Sequence, residues 1–266
     1  MPIKNASTKH AVQKNGDVKS AARTLQLLEL LSNEPRPLTL TEIGARIEMP
    51  ISSLHHLLRT LVARGWLETT PRGSEYMIGV RALLTGMSFI ERDPVVQASR
   101  PVMNMLREEL GETIHLARLD DARVVYLASR ESPHQLRTVS RVGQSLPAHA
   151  SALGKATLAR LSDEDVATRF TEPLQRLTPH TIGELSGLLE ELKLIRARGW
   201  SREREENTLG TGCISVAIPL ESLPYAISCS VPLLRMDSSH ETVIAQSLQY
   251  AAQSVAADLG PRGQQL

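Results

Sequence analysis

Residues 42–61, EIGARIEMPISSLHHLLRTL, decide how the N-terminal part of this chain folds. Thr39, three residues before this stretch, and Glu42, its first residue, have the spacing of a capping box, in which each side chain accepts a hydrogen bond from the other residue's backbone N–H group. Met49-Pro50 then interrupts the pattern, and proline suits the first position of a new helix. Leucines follow at the spacing of one helical face: Leu54, Leu57, Leu58 and Leu61. The stretch predicts two short helices joined by a tight turn.

The second predicted helix has a polar face opposite its leucines. Its side chains there are short or able to hydrogen-bond, and they include Ser52, Ser53, His55, His56 and Arg59. Hydroxyl, imidazole and guanidinium groups of this kind contact base edges and phosphates in a DNA major groove. The same pattern also fits an ordinary surface helix with a solvated face. The helix alone leaves both interpretations open.

The residues that follow favour the DNA-binding interpretation. Gly65 suits the position just past a helix end. The segments WLETT (66–70) and EYMIG (75–79) flank the turn residues PRGS (71–74), which predicts a β-hairpin with Arg72 in its turn. A capped short helix, a turn, a second helix and a hairpin, in this order, are typical of a winged helix-turn-helix.

Composition and charge set only broad limits on function. The chain has 266 residues, 41% of them hydrophobic and 3% aromatic, and its net charge is +1. Residues 1–80 carry a net charge of +3 and residues 81–266 one of −2, which permits an N-terminal DNA-binding module without requiring one. No apolar run reaches the ~18 residues of a membrane span, and no signal peptide is recognisable. The two cysteines, Cys213 and Cys229, are too few for a disulfide framework. Without a recognisable export signal we expect a protein of the reducing cytoplasm, with no membrane partner.

The rest of the chain predicts a second domain of α+β class. Residues 80–110 have a helical pattern, punctuated by Pro94 and Pro101. Two hairpins are predicted after Gly111, pairing 113–119 with 123–129 and 213–220 with 225–231, and helices are predicted near 152–161, 184–198 and 239–259. The expected organisation is a disordered arm (1–17), a winged helix-turn-helix domain (18–80), a linker helix (81–94) and a second domain (95–262).

Several longer segments make the chain similar to one family. SAARTLQLLELL (20–31), PLTLTEIGARIEMPISSLHHLLRTLVARGWL (37–67), PAHASALGKA (147–156) and EEN with GTGCIS (205–215) resemble the IclR family of bacterial transcription regulators. The resemblance implies an N-terminal winged helix, a linker helix and a C-terminal GAF-like α/β effector-binding domain. It also implies double-stranded operator DNA as a partner. Homodimers that pair into homotetramers, with contacts through the first helix and the linker, are implied as well.

Two departures from the family pattern concern the DNA-reading helix. The family commonly has Gly-Leu-Pro in the turn, where this chain has Glu48 in place of the glycine. If the backbone needs a positive φ there, the strain is expected to cost about 1 kcal/mol or more. The recognition helix begins with Ile51 where the family commonly has lysine, and His56 stands where an arginine is common. Two cationic contacts are missing, so the operator sequence does not follow from the family.

Eight residues are predicted to contact the operator. Five belong to the polar face of the recognition helix and are candidates for the major groove: Ser52, Ser53, His55, His56 and Arg59. Three arginines are expected to contact the DNA backbone: Arg23 near the start of the first helix, Arg64 after the recognition helix and Arg72 in the wing.

Position by position, the resemblance predicts an effector pocket formed by Thr138, Ala152, Leu153, Glu203, Thr211, Cys213, Ser228 and Ser230. Ser228 and Ser230 are two apart on a predicted strand, so both hydroxyls point to one face. Hydroxyl donors and the N–H groups at a helix start suit a carboxylate, while Glu203 favours a ligand hydroxyl or a protonated group. The expected effector is a small organic acid. Without the resemblance, the serines fit strand-edge caps and the cysteines fit plain buried thiols.

The rival class is an enzyme, or a sensor of metal or redox state. The sequence has no GxSxG, HExxH, GxxxxGK[ST] or GxGxxG motif. His115, His134 and His149 lack the close spacing of a zinc site. A GAF-like domain can host cysteine chemistry, which makes Cys213 the best alternative centre. We expect a ligand-responsive transcriptional regulator, a repressor of a catabolic operon, with no catalytic residue, metal or cofactor.

Overall fold

The computed structural model describes residues 18–221 and 224–263, and the chain divides into two compact units, with the boundary in the sequence between Phe89 and Ile90. The arm predicted over residues 1–17 lies outside the described residues. Within the described part, no helix is both long and apolar enough to cross a membrane. The mixture of helices and antiparallel sheets confirms the predicted α+β class.

The N-terminal unit contains the predicted helix-turn-helix and its wing. Its elements are α1 (Lys19–Ser32), β1 (Leu38–Thr39), α2 (Leu40–Gly44), α3 (Ile51–Ala63), β2 (Leu67–Thr69) and β3 (Glu75–Ile78). The three strands form an antiparallel sheet in the order β1-β3-β2. The hairpin of β2 and β3 is the predicted wing, and β1 adds a strand that is too short to be recognised from sequence.

An aliphatic core holds the three helices of this unit together. Leu27 of α1, Ile43 of α2, and Leu54 and Leu58 of α3 are fully buried in one cluster. Burying one such side chain contributes about 1.5–3 kcal/mol. Because leucines occupy only one side of α3, its other side is left to solvent.

The capping box predicted at Thr39 is present and fixes the start of α2. The Glu42 N–H donates to Thr39 Oγ1 (3.3 Å), and the Thr39 N–H donates to Glu42 Oε2 (2.8 Å). The Arg36 guanidinium also donates to this carboxylate. Together these donors, Arg36 first, lower the pKa of Glu42 to about 2. The carboxylate is therefore ionised at neutral pH, as a cap of this kind requires.

Helix α3 begins one residue later than predicted and ends as predicted. Pro50 is the N-cap residue, not the first helical residue, and its carbonyl accepts from the Leu54 N–H (2.9 Å). At the other end Gly65 has φ of 73°. The Gly65 N–H donates to the Val62 carbonyl and the Trp66 N–H to the Leu61 carbonyl, both at 2.9 Å. This is the Schellman arrangement, which needs a residue tolerant of positive φ.

The turn between α2 and α3 carries no strain at Glu48. Among the described residues, positive φ at a non-glycine position occurs at Asp121 and Glu205, so the positive φ considered for Glu48 is wrong. The turn is stabilised instead by Arg23, whose Nη2 donates to the Glu48 carbonyl (3.3 Å). Replacing the family's common glycine therefore costs no backbone strain here.

Residues 80–110 form two helices, α4 (Val80–Arg92) and α5 (Pro94–Leu110). Asp93 separates them, and its carboxylate caps α5 by accepting from the Val96 N–H (3.0 Å). Pro101 lies inside α5 without ending it. A proline costs a helix interior about 3 kcal/mol, and burial of the face that carries Met103 and Leu106 offsets this cost.

The C-terminal unit is built on one six-stranded antiparallel sheet in the order β6-β5-β4-β9-β8-β7. Its strands are β4 (Thr113–Asp120), β5 (Arg123–Arg130), β6 (Ser145–Pro147), β7 (Ser201–Arg204), β8 (Thr211–Ala217) and β9 (Tyr225–Pro232). Its further helices are α6 (Ala152–Leu158), α7 (Asp163–Ala167), α8 (Leu185–Arg198) and α9 (Ser238–Gly263). Both predicted hairpins are confirmed. The short elements β6 and α7 were not predicted, because three to five residues carry no readable period.

Each face of this sheet packs against different helices. On one face, Ile114, Ile227 and Cys229 join the core formed with α5 and α9. On the other face, Ala117, Tyr126 and Ala226 join the core formed with α6 and α8. The second face also carries the polar side chains of β4, β8 and β9, and these form the candidate ligand site.

Candidate functional sites

The first candidate site is the solvent face of α3. Its predicted groove residues are all exposed: Ser52, Ser53, His55, His56 and Arg59. Leu54, Leu58 and Leu61 are buried on the opposite side. The helix therefore presents hydroxyl, imidazole and guanidinium groups to solvent while its apolar side anchors it, as a major-groove helix requires.

The three arginines predicted to contact the DNA backbone fall into two groups. Arg64, the C-cap residue of α3, and Arg72, in the turn of the wing, are exposed. Arg23 is half-buried and donates to the Glu48 carbonyl. Arg23 thus has a structural contact in the helix-turn-helix, whatever else it touches when DNA is bound.

The second candidate site is a cavity of about 630 Å³ in the C-terminal unit, which we call the sensor cavity. Its volume lies within the range of small-ligand pockets. Seven of the eight predicted effector residues line it: Thr138, Ala152, Leu153, Glu203, Thr211, Cys213 and Ser230. Ser228 does not line it, although its side chain is on the same face of β9 as that of Ser230.

Sequence reasoning missed much of the cavity wall. The additional lining includes Tyr126 of β5, Arg137 and Ser140 from the loop after β5, and Asn207, Leu209 and Leu234. Tyr126 has the sequence pattern of an ordinary buried strand residue, and the loop residues have no periodic pattern that would point to a site. Leu209 and Leu234 are 61% and 91% exposed, so part of the wall near solvent is apolar.

Cys213 and Ser230 form a pair on the floor of the cavity. They are opposite each other on β8 and β9, and Ser230 Oγ donates to Cys213 Sγ (3.3 Å). Burial raises the pKa of the Cys213 thiol to about 12. A reactive cysteine needs a lowered pKa and access to solvent, so this thiol has the properties of a buried wall residue.

Glu203 places a buried carboxyl group in the cavity wall. It is 5% exposed, and its Oε1 accepts from the Asn207 N–H (3.0 Å). Burial raises the pKa of Glu203 to about 7, and Glu206 adds to this effect, while Lys155 and the Asn207 N–H oppose it. A carboxyl group with this pKa is able to donate or to accept a hydrogen bond near neutral pH.

The raised pKa of Glu203 predicts how stability depends on pH. The unfolded chain ionises this group from about pH 4.5 and the folded chain from about pH 7, so stability falls as pH rises between these values. The Glu203→Gln variant has no ionisable group at this position, so its stability does not fall for this reason as pH rises. Its free energy of unfolding relative to the wild type is expected to rise by about 2 kcal/mol between about pH 5 and about pH 8. Urea unfolding at both pH values measures this, with Glu164→Gln on the surface of α7 as control. A pH-independent difference would contradict the expectation.

A buried ion pair holds the loop that closes one side of the cavity. Lys155 of α6 is 1% exposed, and its Nζ lies 2.6 Å from Glu206 Oε1. The hydroxyls of Thr178 and Thr181 donate to the carbonyls of Glu205 and Glu206, both at 2.5 Å. The loop from β7 to β8 is therefore held by the ion pair with α6 and by hydrogen bonds from residues 178–181.

The start of α6 forms another part of the wall. Ser151 caps this seven-residue helix by accepting from the Gly154 N–H (3.0 Å). A Cβ at Gly154 would lie 2.2 Å from the Ala148 carbonyl oxygen, so only glycine allows the approach of this backbone segment. The close packing brings Ala152 and Leu153 to the cavity.

A winged helix-turn-helix and a separate unit with a ligand-sized cavity define the class of ligand-responsive DNA-binding regulators. Comparison with known families agrees with this class. Residues 20–71 match the IclR helix-turn-helix domain, and residues 87–257 match the bacterial transcriptional regulator IclR C-terminal family. The chain belongs to the IclR family of bacterial transcriptional regulators.

The chain is similar to individual transcription regulators along nearly its whole length. The chain is 33% identical over 253 residues to the HTH-type transcriptional regulator BhcR of Paracoccus denitrificans, covering 93% of this chain and 90% of the relative. It is 32% identical over 250 residues to the transcriptional repressor IclR of Escherichia coli, covering 92% and 91%. A solved IclR homolog from Microbacterium hydrocarbonoxydans, complexed with 4-hydroxybenzoate, has a TM-score of 0.74 at 25% identity, covering 90% and 98%. These relatives place the chain among transcription regulators, not enzymes.

Proposed function

We propose that this protein is a repressor of a catabolic operon, and that a small organic acid in the sensor cavity changes its affinity for the operator. The observation that carries the proposal is the composition of the cavity wall. Thr138 and Ser140 provide hydroxyl donors for a carboxylate, and Ser230 becomes a third when its hydroxyl turns from the weak acceptor Cys213 Sγ. Arg137, which pairs with Glu131 on the surface (2.9 Å), provides a cation. The repressor among the relatives and the homolog bound to 4-hydroxybenzoate support the same assignment.

In this proposal residues 18–80 read DNA, residues 81–94 link the two functions and residues 95–262 bind the effector. One winged helix makes few base contacts, so we expect a homodimer, or a dimer of dimers, on symmetric half-sites in the cytoplasm. Helix α4 supports this expectation, because Leu83 and Leu84 are each 61% exposed. An apolar helix face of this kind is suited to a second copy of the chain. Sedimentation velocity would measure the assembly.

The proposed mechanism is thermodynamic linkage. An acid shifts operator affinity only to the extent that it binds the DNA-bound and DNA-free arrangements with different affinity. The linker is the natural coupling element, because it is continuous in sequence with both units. Either sign of coupling is compatible with this mechanism, so the direction is left to experiment.

Fluorescence anisotropy with the duplex upstream of the protein's own coding region tests the effector part of the proposal. The acids are benzoate, 4-hydroxybenzoate, pentanoate and 5-hydroxypentanoate, and their methyl esters are the controls. At least one acid is expected to change operator affinity by about fivefold or more, and its ester is not. Operator binding that no acid changes would contradict the organic-acid effector while leaving the DNA-binding role intact.

Ser230→Ala is expected to weaken the dissociation constant of the active acid by about tenfold, since a hydrogen bond to a charged group is lost. The affinity of the acid-free protein for the operator is expected to stay unchanged. Isothermal titration with the acid measures the first effect and anisotropy the second. The matched control is Ser215→Ala, whose hydroxyl donates to the Ile227 carbonyl and does not line the cavity. Equal acid binding by both variants would remove Ser230 from the site.

A further inference from the structure

Three polar side chains follow one another across the sheet beside the sensor cavity, and Ser215 of β8 and Ser201 of β7, whose hydroxyls have backbone acceptors, continue the row. His115 of β4 is opposite Ser129 on β5 and opposite Ser228 on β9. His115 and Ser228 are fully buried, and Ser129 is half-buried. We call these three residues the inner row. Ser228 is two residues from Ser230 along β9, so the inner row and the cavity floor share one face of the sheet.

The inner row is rich in polar atoms that the described part of the chain does not satisfy. Both imidazole nitrogens of His115 and the hydroxyl oxygens of Ser129 and Ser228 are buried without a hydrogen bond of sound geometry. The Cys213 thiol is near the Ser228 hydroxyl but is a weak partner. A buried polar group without a partner costs about 1–3 kcal/mol. Four such atoms side by side point to a guest that supplies the missing hydrogen bonds.

The charge state of the inner row limits the chemistry of this guest. Burial lowers the pKa of His115 to about 4, so the imidazole is neutral at pH 7 and offers one donor and one acceptor. The nearby cavity wall contains the Glu203 carboxyl group. A ligand carboxylate placed beside the inner row would find no positively charged side chain there. A hydroxyl or carbonyl group would find both a donor and an acceptor.

Contact with the cavity runs through Tyr126. Its ring lines the cavity and packs edge to face against the His115 imidazole, with the ring centroids 5.0 Å apart. Ser230, two residues from Ser228 on β9, lines the cavity, as does Cys213, which lies opposite Ser230 on β8. The inner row thus lies behind the cavity floor, next to the Tyr126 ring.

We propose that the inner row is the deep end of the sensor site and that His115 binds an uncharged hydroxyl or carbonyl group of the effector, remote from its carboxylate. This inference rests on the proposed function, since it concerns the same cavity. It orients the ligand with its carboxylate towards Arg137, which is exposed, and its uncharged polar end towards His115. The effector class becomes an organic acid with a distal oxygen function.

The test compares acids that differ by one distal hydroxyl: 4-hydroxybenzoate with benzoate, and 5-hydroxypentanoate with pentanoate. Isothermal titration of the full chain is expected to show that the hydroxylated member of at least one pair binds about tenfold more tightly or better. In His115→Phe this preference is expected to fall to about one, and in His115→Gln, which keeps a donor and an acceptor, a part of it remains. Ser99→Ala, which removes a buried hydroxyl without a hydrogen-bond partner on α5, away from the inner row and the cavity lining, is expected to keep the full preference.

The outcomes separate this inference from the proposed function. Equal binding of both members of each pair by the wild type overturns the role of the inner row and leaves the organic-acid effector in place. A preference that persists in His115→Phe does the same. Failure of the wild type to bind any of the four acids overturns the acid effector and the inner row together. If His115→Phe does not fold, Ser228→Ala takes its place, with the same loss of preference expected.

Discussion

Arg59→Ala is expected to weaken operator binding by about tenfold to a hundredfold. Arg59 is exposed on the polar face of α3, and it is the single lysine or arginine within Ile51–Ala63. A guanidinium that meets guanine or phosphate in the groove contributes about 1–3 kcal/mol. Because neither Ile51 nor His56 is a lysine or arginine, no other such side chain in the helix compensates for the loss of Arg59.

Anisotropy titrations of the wild type and Arg59→Ala on the upstream duplex measure this loss. Arg100→Ala is the matched control, because Arg100 is an exposed arginine on α5 of the other unit. Its loss changes the net charge equally and is expected to alter operator affinity by less than about twofold. Similar effects of both variants would mean general charge attraction, and an unchanged affinity of Arg59→Ala would remove this residue from the interface.

Lys155→Met is expected to lower the free energy of unfolding by about 3–5 kcal/mol, the cost of leaving a buried ion without its partner. Lys155 Nζ lies 2.6 Å from Glu206 Oε1, and the side chains are 1% and 12% exposed. The second oxygen of Glu206 is buried with no hydrogen bond in the described part of the chain. Burial already raises the pKa of Glu206 against the opposing effect of Lys155. Removal of Lys155 raises this pKa further, so the destabilisation is expected to be larger at pH 8 than at pH 5.

Urea unfolding of three variants isolates the contribution of this ion pair. Lys193→Met removes an exposed lysine paired with Glu190 and is expected to leave the free energy of unfolding nearly unchanged, because solvent screens a surface pair. The double variant Lys155→Met with Glu206→Leu removes both buried charges and is expected to recover much of the stability lost by Lys155→Met. Equal stability of Lys155→Met and Lys193→Met would contradict the structural role assigned to the pair.

The N-terminal unit was predictable because its determinants are local in sequence. The capping box at Thr39, the leucine spacing of α3 and Gly65 each specify one feature within a few residues. The misplaced start of α3 at Pro50 is an error of one residue, which is common at helix ends. The strain considered at Glu48 came from analogy with a glycine, and the chain avoids it with an ordinary backbone conformation supported by Arg23.

The sensor cavity was predictable only through the family resemblance. Glu203 and Ser230 are far apart in the chain and meet because β7, β8 and β9 are neighbours in the sheet, and Thr138 joins them from the loop after β5. Sequence spacing shows neither this sheet order nor the position of the loop that carries Arg137. His115 was considered as a metal ligand, and its place beside Ser228 follows from strand register, which the sequence does not fix. Among the described residues, no cluster of three or more potential metal ligands is present.

The most direct test of the central claim is anisotropy on the duplex upstream of the protein's own coding region, at about 50 mM and about 200 mM salt, with a random duplex as control. Specific recognition by α3 predicts tighter binding to the upstream duplex, and a preference over the control that persists at the higher salt concentration. Equal binding to both duplexes, lost together as salt rises, would mean backbone attraction alone and would contradict the assignment of α3 as a reader of this operator.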